Sequence, residues 1–324
     1  MPQRGVDYPG TWAEFVKWFS DDGACVEYLE RLRWPEGFVC PRCGGQRGWR
    51  RSESRWLCAD CRRETSATAG TIFDGTRTPL QQWFAAAWYV CGTKNGASAL
   101  GLQQLLGLGS YETAWTWLHK LRRAMVDPDR ELLHGDVEVD ETFVGGVEPG
   151  LRGGRARGKK NLVVIGVECE GAGSGRVRLA RIGDASSRSL HPFVTANVEP
   201  GAVLLTDAWQ GYSGIDRMGY VHKPVSVRAS IDDASELLPR VHRVASLLKR
   251  WLLGTHQGAV RPAHLDYYLD EFTFRYNRRR SRSRGLLFYR LLQQAVRTAP
   301  QPMKVIVGGS AGYRSAPGMV DRSG

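Results

Sequence analysis

The 324-residue chain lacks a long apolar run: its most hydrophobic stretch, Trp83 to Cys91, is nine residues, far below the ~20 that a membrane-spanning helix needs. Its first residues, Met1-Pro2-Gln3-Arg4, lack the basic-then-apolar pattern of a secretory signal. A cytoplasmic protein without a membrane partner is therefore expected. Lysine is scarce, with eight among 45 basic residues, and acids are in deficit at 33, leaving a net charge of +12. A surface this short of acid points to a polyanionic partner, nucleic acid first. The arginine bias suits bidentate phosphate contact, and it equally fits codon usage in a GC-rich genome. With 42% hydrophobic and 24% charged residues, wholesale disorder is excluded. The length suits about two domains, and no internal repeat is visible.

Cysteine is sparse but patterned. Four of seven fall as Cys40-Pro-Arg-Cys43 and Cys58-Ala-Asp-Cys61, with fourteen residues between the pairs. Two C-x-x-C knuckles at this spacing predict a zinc ribbon. Four thiolates leave no open coordination position, so the predicted Zn2+ is structural and supplies the segment's folding energy. Seven arginines lie between Arg42 and Arg63, with Trp49 and Trp56 among them. That mixture fits nucleic-acid contact, and it also fits a small ribbon that needs aromatics to cover its metal. Cys25, Cys91 and Cys169 read as buried thiols.

Apolar spacing of three and four predicts an amphipathic helix over 11–34. Thr78-Pro79 reads as a helix start, with Thr78 as cap. Residues 96–125 read as two helices broken at Gly107-Leu108-Gly109, the second capped by Ser110 and carrying His119, Lys120, Arg122 and Arg123 on its surface. This is a helix-turn-helix shape, with an ordinary helical hairpin as the alternative. Beyond residue 128 the period changes to short β-branched runs at Val137–Val139, Leu162–Val167, Val177–Ile182 and Val203–Thr206. Helices are expected at about 187–196, 208–217, 237–253, 263–278 and 285–296. Together these predict an α/β (α+β) domain with a mixed sheet flanked by helices. Residues 150–160 read as a basic hairpin loop.

Two carboxylates invite a metal. Asp140 lies on the strand Val137-Glu138-Val139-Asp140, whose alternation puts Glu138 and Asp140 on one face. Asp207 ends the run Val203–Thr206, where open sheets place their ligand crevices. In a basic chain with two candidate DNA-binding regions, this pair suggests metal-assisted phosphoryl chemistry. The run 275–284 holds six arginines and no acid, and phosphate contact there predicts a steep salt dependence.

The segments Cys40–Cys61, Val137–Gly146, Thr206–Trp209 with Tyr212, Gly219–His222, Val241–Trp251 and His264–Arg278 resemble, in this order, the ISXO-type transposases of bacterial insertion sequences. The resemblance spans about residues 10–295. It implies an N-terminal zinc ribbon and a ribonuclease-H-like catalytic domain of the DDE type. The implied chemistry is strand cleavage by water, then strand transfer by the freed 3′-hydroxyl. Asp140 and Asp207 match the first two acids of the pattern. The third, commonly Glu seven residues before a Lys, is His242 here, seven residues before Lys249. The resemblance implies two Mg2+ or Mn2+ ions held by Asp140, Asp207 and His242, with Lys249 on the DNA backbone; from the arginine run, Arg275, Arg278, Arg279 and Arg280 are expected on phosphate. An imidazole in place of a carboxylate favours Mn2+ over Mg2+.

The expected organisation is a helical segment (1–35), the zinc ribbon (36–76), a helix-turn-helix-like DNA-binding region (77–127), the catalytic domain (128–297) and a disordered tail (298–324). The expected partner is double-stranded DNA, both element ends and target. A homo-oligomer, at least a dimer, would pair two ends, and the protein would be nucleoid-associated. The altered third position leaves two further readings open: a catalytically degenerate DNA-binding remnant or regulator, and a ribonuclease-H-like nuclease with another substrate.

Overall fold

The structure is a computed structural model and describes residues 1–127, 129–145, 160–225, 237–258 and 260–308. Most of the basic loop 150–160 and residues 309–324 of the expected tail lie outside the described residues. Among the described residues the chain forms two compact units, Met1–Asp127 with Arg280–Val307, and residues 129–279.

In the first unit the stretch expected as one helix is two. α1 (Trp12–Trp18) is capped by Thr11, and α2 (Asp22–Arg33) begins where the Asp21 carboxylate accepts the Ala24 amide at 2.8 Å. An Asp side chain satisfies an orphan helix-start amide better than it continues a helix, so the chain breaks at Ser20–Asp21. The ribbon follows as β1 (Gly48–Ser52), β2 (Arg55–Cys58) and β3 (Glu64–Thr65), an antiparallel sheet in that order. Then come α3 (Leu80–Gly92), α4 (Ala99–Leu106) and α5 (Tyr111–Ala124). Pro79, not Thr78, occupies the cap of α3, which has no side-chain cap bond. Ser98 and Ser110 cap α4 and α5, and Gly107 ends α4 in the left-handed region at φ 62°.

The helix–turn–helix outline is thus present, but its charge distribution differs from expectation. His119 and Arg122 of α5 are buried, and Lys120 lies over the Trp83 ring. Trp83 of α3 stacks on Trp117 of α5 with centroids 3.9 Å apart. The exposed residues of α5 are Tyr111 and Glu112 at its N-terminus.

Residues 280–307, which the sequence divides between the catalytic domain and the tail, pack in this first unit instead. After the second unit's helices, numbered α6–α8 below, come α9 (Arg284–Ala295) and α10 (Met303–Val307). Phe288 of α9 is fully buried against Phe15, Phe19, Phe84 and Trp88. The apolar face of α9 finds its core there.

The second unit is a five-stranded sheet in the order β6-β5-β4-β7-β8. β4 (Asp136–Val144), β5 (Asn161–Glu170) and β6 (Gly173–Ile182) form an antiparallel meander, and β7 (Val203–Asp207) and β8 (Val221–Val225) run parallel to β4. α6 (Ser187–Asn197), α7 (Pro239–His256) and α8 (Leu265–Asn277) complete the unit. Strand periodicity divides the core in two. Val137, Val139 and Leu204 face α6 through Leu190, Phe193 and Val194. Val163, Ile165 and Val167 face α7 and α8 through Val244, Leu248, Leu269 and Phe272. A three-strand meander followed by parallel strands on its first member is the ribonuclease-H-like arrangement. β8 was not expected, and the helix expected at 208–217 is instead two short 3-10 turns, Gln210–Tyr212 and Ile215–Met218.

Candidate active site and metal centres

In the ribbon each C-x-x-C pair closes the same knuckle. The amide of Gly44 donates to the Cys40 carbonyl at 2.9 Å, and that of Arg62 to the Cys58 carbonyl at 3.1 Å. Both turns need the left-handed region, taken by Gly44 at φ 73° and by Arg62 at φ 57°. The Sγ atoms of Cys40 and Cys61, and of Cys43 and Cys58, are 3.6 Å apart, and all four lie within 4.8 Å of one another. A tetrahedral zinc with ~2.3 Å Zn–S bonds separates its sulfurs by about 3.8 Å, so the thiols fit the ion. Burial opposes ionisation of Cys40, but the backbone amides of Cys43 and Arg42 and the neighbouring thiols bring its pKa down. At Cys43 the Gly45 amide is outweighed by the neighbouring thiols, which push the pKa up, so one thiolate is shared among the four until a metal is bound. Trp56 stacks on Phe38 beside the cysteines, and its indole donates to Glu30 of α2 at 2.8 Å. Trp49 is exposed, with the Arg62 guanidinium over its ring. The two tryptophans therefore divide the expected roles: one covers the metal site, the other lies at the surface.

In the second unit, Val137 and Val139 of β4 point to the α6 core, so Glu138 and Asp140 face α7. Val139 pairs with Thr206 in parallel register, which makes Asp140 and Asp207 the next residues along adjacent strands. Leu205 packs on the α7 side, and Asp207, two residues on, shares that face. His242, in the first turns of α7, brings Nε2 to 3.8 Å from Asp140 Oδ2. Lys249 lies seven residues along the same helix, nearly two turns, and so on the same side. Partial burial, then the charge of Lys160, lowers its pKa, while Asp140 pulls it up. The strand register therefore sets Asp140 beside Asp207, and α7 brings His242 and Lys249 to the Asp140 side. Two carboxylates and an imidazole have the donor chemistry for a divalent ion. Their ligand atoms are more widely spread than the cysteines, which are the only tight ligand cluster among the described residues.

Two close packings hold the Asp207 turn. The Asp207 carboxylate accepts the Trp209 amide at 3.1 Å, and the Trp209 indole donates to the Ala185 carbonyl at 2.7 Å. A Cβ on Gly211 would stand 2.3 Å from that same carbonyl. The Asp-Ala-Trp-Gln-Gly-Tyr sequence is thus a folded turn in which the glycine lets the backbone approach α6. Tyr212 is fully buried, and its hydroxyl donates to Glu141. Burial, then Glu141, Asp140 and Asp207, raise the phenol's pKa well above its ordinary value.

The residues matching the family profiles cover both centres. Residues 132–277 match the ISXO2-like transposase domain, and residues 20–64 match the transposase zinc-ribbon domain. The chain belongs to the ISXO-type insertion-sequence transposases. This transposase is similar to an uncharacterized protein in transposable element ISH50 of Halobacterium salinarum, 26% identical over 285 residues, covering 80% of this chain and 92% of that protein. Among solved structures it is similar to a chain of the simian T-cell lymphotropic virus intasome in complex with PP2A regulatory subunit B56 gamma. That match has 13% identity, 62% and 74% coverage of the two chains and a TM-score of 0.30. The Mos1 strand transfer complex gives 12% identity, 66% and 75% coverage and a TM-score of 0.27.

The four arginines expected on phosphate divide. Arg275 is held by Glu271, 1% exposed, at 2.8 Å. Arg278 lies over the Phe274 ring, and Arg279 donates to the carbonyls of Gly175 and Ser174. Arg280 is exposed, as is Arg282. Sequence inspection missed Glu138 as a structural anchor and Glu141 as the partner of Tyr212. The acid-x-acid-acid pattern of Glu138, Asp140 and Glu141 was the available signal.

Proposed function

We propose that the transposase cleaves DNA at the ends of its element and joins the freed 3′-hydroxyl to target DNA, with Asp140, Asp207 and His242 as the ligands of the catalytic metal. The observation that carries this reading is the convergence of Asp140, Asp207 and His242 on one face of the sheet, with the imidazole 3.8 Å from the first carboxylate. Mg2+ or Mn2+ bound there supplies Lewis-acid activation of the attacking and leaving oxygens. The protein's own part is to hold the scissile phosphate in line beside that site. Lys249 does this as a point charge on the DNA backbone. No covalent protein–DNA intermediate is required.

The zinc ribbon and the α3–α5 region bind the terminal repeats, and the exposed Arg280 and Arg282 add phosphate contact. A dimer or larger homo-oligomer pairs two ends, and the DNA-bound protein resides on the nucleoid. The test is a strand-transfer assay with the element's own ends. Asp140→Ala and Asp207→Ala abolish cleavage and joining while end binding persists. His242→Ala lowers both; activity equal to wild type in that variant would remove His242 from the site.

A further inference from the structure

The strand that carries Asp140 holds two more carboxylates, and each is tied to the element that bears another proposed ligand. Glu138 is 1% exposed and lies two residues before Asp140. Its Oε2 accepts the backbone amides of Arg240 and Val241, both at 2.8 Å, and its Oε1 accepts the Arg240 guanidinium at 2.8 Å. These amides belong to the first turn of α7, where N–H groups have no partner within the helix. Among the described residues, α7 has no side-chain cap of its own. Glu138 therefore supplies from the sheet the acceptor that a local cap would supply, and it does so one residue before His242. The same guanidinium donates to the carbonyls of Gly173 and Gly171 at the β5–β6 turn, so the anchor extends across three strands. On the opposite face, Glu141 accepts the hydroxyl of Tyr212. Tyr212 closes the turn that begins at Asp207.

We infer that Glu138 and Glu141 are positioning residues, which set the helix of His242 and the turn of Asp207 against Asp140. The inference rests on the reading of Asp140, Asp207 and His242 as metal ligands, and it assigns no ligand role to either glutamate. A carboxylate with both oxygens engaged in three hydrogen bonds at 2.8 Å fixes α7 along the strand as well as across it. An apolar residue at 138 would bury equally well but would leave two helix-start amides and a guanidinium without their acceptor. Outer partners of this kind typically change metal affinity or activity by about 10–100-fold when removed.

The test uses the full-length, zinc-loaded protein and two readouts. Amide hydrogen exchange at residues 240–242 and 207–212, without added divalent ion, reads the anchors themselves. Binding of Mn2+, followed by the electron paramagnetic resonance signal of the free ion, reads their consequence for the site. Glu138→Gln and Glu138→Ala speed exchange at Arg240 and Val241, and they weaken Mn2+ binding roughly 10-fold and 100-fold, in that order. Tyr212→Phe speeds exchange in the Asp207 turn and weakens Mn2+ binding by a smaller factor. Val244→Ala, a truncation in the buried core of the same helix, controls for stability alone: its Mn2+ affinity stays within about two-fold of wild type at a comparable loss of Tm.

Unchanged exchange in the Glu138 variants overturns the anchor. Faster exchange with wild-type Mn2+ binding, or equal weakening in Val244→Ala, overturns the positioning role and leaves the ligand reading standing. If wild type and Asp140→Ala bind Mn2+ alike, the ligand reading fails, and the positioning role fails with it.

Discussion

Gly211 sits where the Asp207 turn meets α6, and replacing it with alanine tests whether that close approach is structural. The added Cβ would stand 2.3 Å from the Ala185 carbonyl oxygen, 2.8 Å from the Trp209 indole nitrogen and 2.9 Å from Leu190 Cδ1. An ordinary C···O contact is about 3.3 Å or longer, so the carbonyl must retreat by roughly 1 Å. That movement breaks its 2.7 Å bond to the Trp209 indole. Overpacking costs about 1–3 kcal/mol, and an indole left without its acceptor costs about 1–3 kcal/mol more. A loss near 3 kcal/mol in a unit of ~150 residues lowers Tm by roughly 10 °C. Differential scanning calorimetry of the full chain measures it. Gly183→Ala, in the same unit, would place its Cβ with nothing within 4 Å and should shift stability by no more than about 0.5 kcal/mol. A Gly211→Ala protein melting within about 2 °C of wild type would show that the turn yields without cost, refuting the argument. Cleavage should fall further than stability alone requires, because Asp207 is held by the amide of Trp209.

Removing zinc with a strong chelator, or replacing Cys58 with Ser, should unfold residues 36–76 and abolish end binding while the sheet unit keeps its own melting transition. Zinc content and calorimetry on one sample check both. Arg275→Ala should destabilise the sheet unit by about 1.5–3 kcal/mol, because it removes a charge-assisted bond to the buried Glu271 carboxylate, whereas joint neutralisation of Arg280 and Arg282 should lower DNA affinity and flatten its salt dependence with Tm unchanged. Binding isotherms at several salt concentrations, paired with melts, separate the two classes. Glu168 is pushed up by burial, but the Arg176 guanidinium and the amides of Arg176 and His134 outweigh this and hold its pKa below 4.5. Its contribution to stability is therefore complete above pH 4.5 and is lost as pH falls through the depressed folded value. Glu168→Gln should flatten the acid limb of a stability–pH curve, and an unchanged limb would refute the assignment.

How much of this was legible in the sequence depends on whether a feature announces itself locally. The ribbon did, because metal-ligand spacing is a property of four residues in one short stretch. Asp140 and Asp207 did, because each ends or interrupts an apolar strand. β8 did not: Val221-His222-Lys223-Pro224-Val225 is largely exposed and carries a proline, which only an edge strand tolerates. The split of the first helix was visible in Asp21 as a cap but was masked by apolar spacing that continues across it. The place of α9 was hidden for a different reason. Its apolar face is an ordinary helical stripe, and nothing in such a stripe says which core will bury it. Glu138 falls between these cases. Alternation put it on the face of Asp140, but its partners are backbone amides about a hundred residues away, and a backbone amide leaves no mark in a sequence.

The same limit governs what net charge can say. A charge of +12 spread over an arginine-rich chain reads as a DNA footprint, yet a guanidinium offers five donors in a fixed fork and suits carbonyls as well as phosphates. Arg33 donates to the carbonyls of Ser66, Ala67 and Ala69 at 2.7–2.9 Å. Arg178, 4% exposed, donates to those of Val177 and Glu131, and burial followed by Arg130 and Arg176 lowers its pKa to about 9. Arg240 and Arg279 bind turns at the edge of the sheet. These arginines close backbone that a larger protein would close with more secondary structure, and their charge is a by-product of that role. The positive charge at the surface near the site is carried instead by Arg243, Lys249 and Arg250, all exposed on α7. The helix that brings His242 to Asp140 thus also carries exposed cations, so under the proposed function its placement by Glu138 bears on both chemistry and phosphate binding.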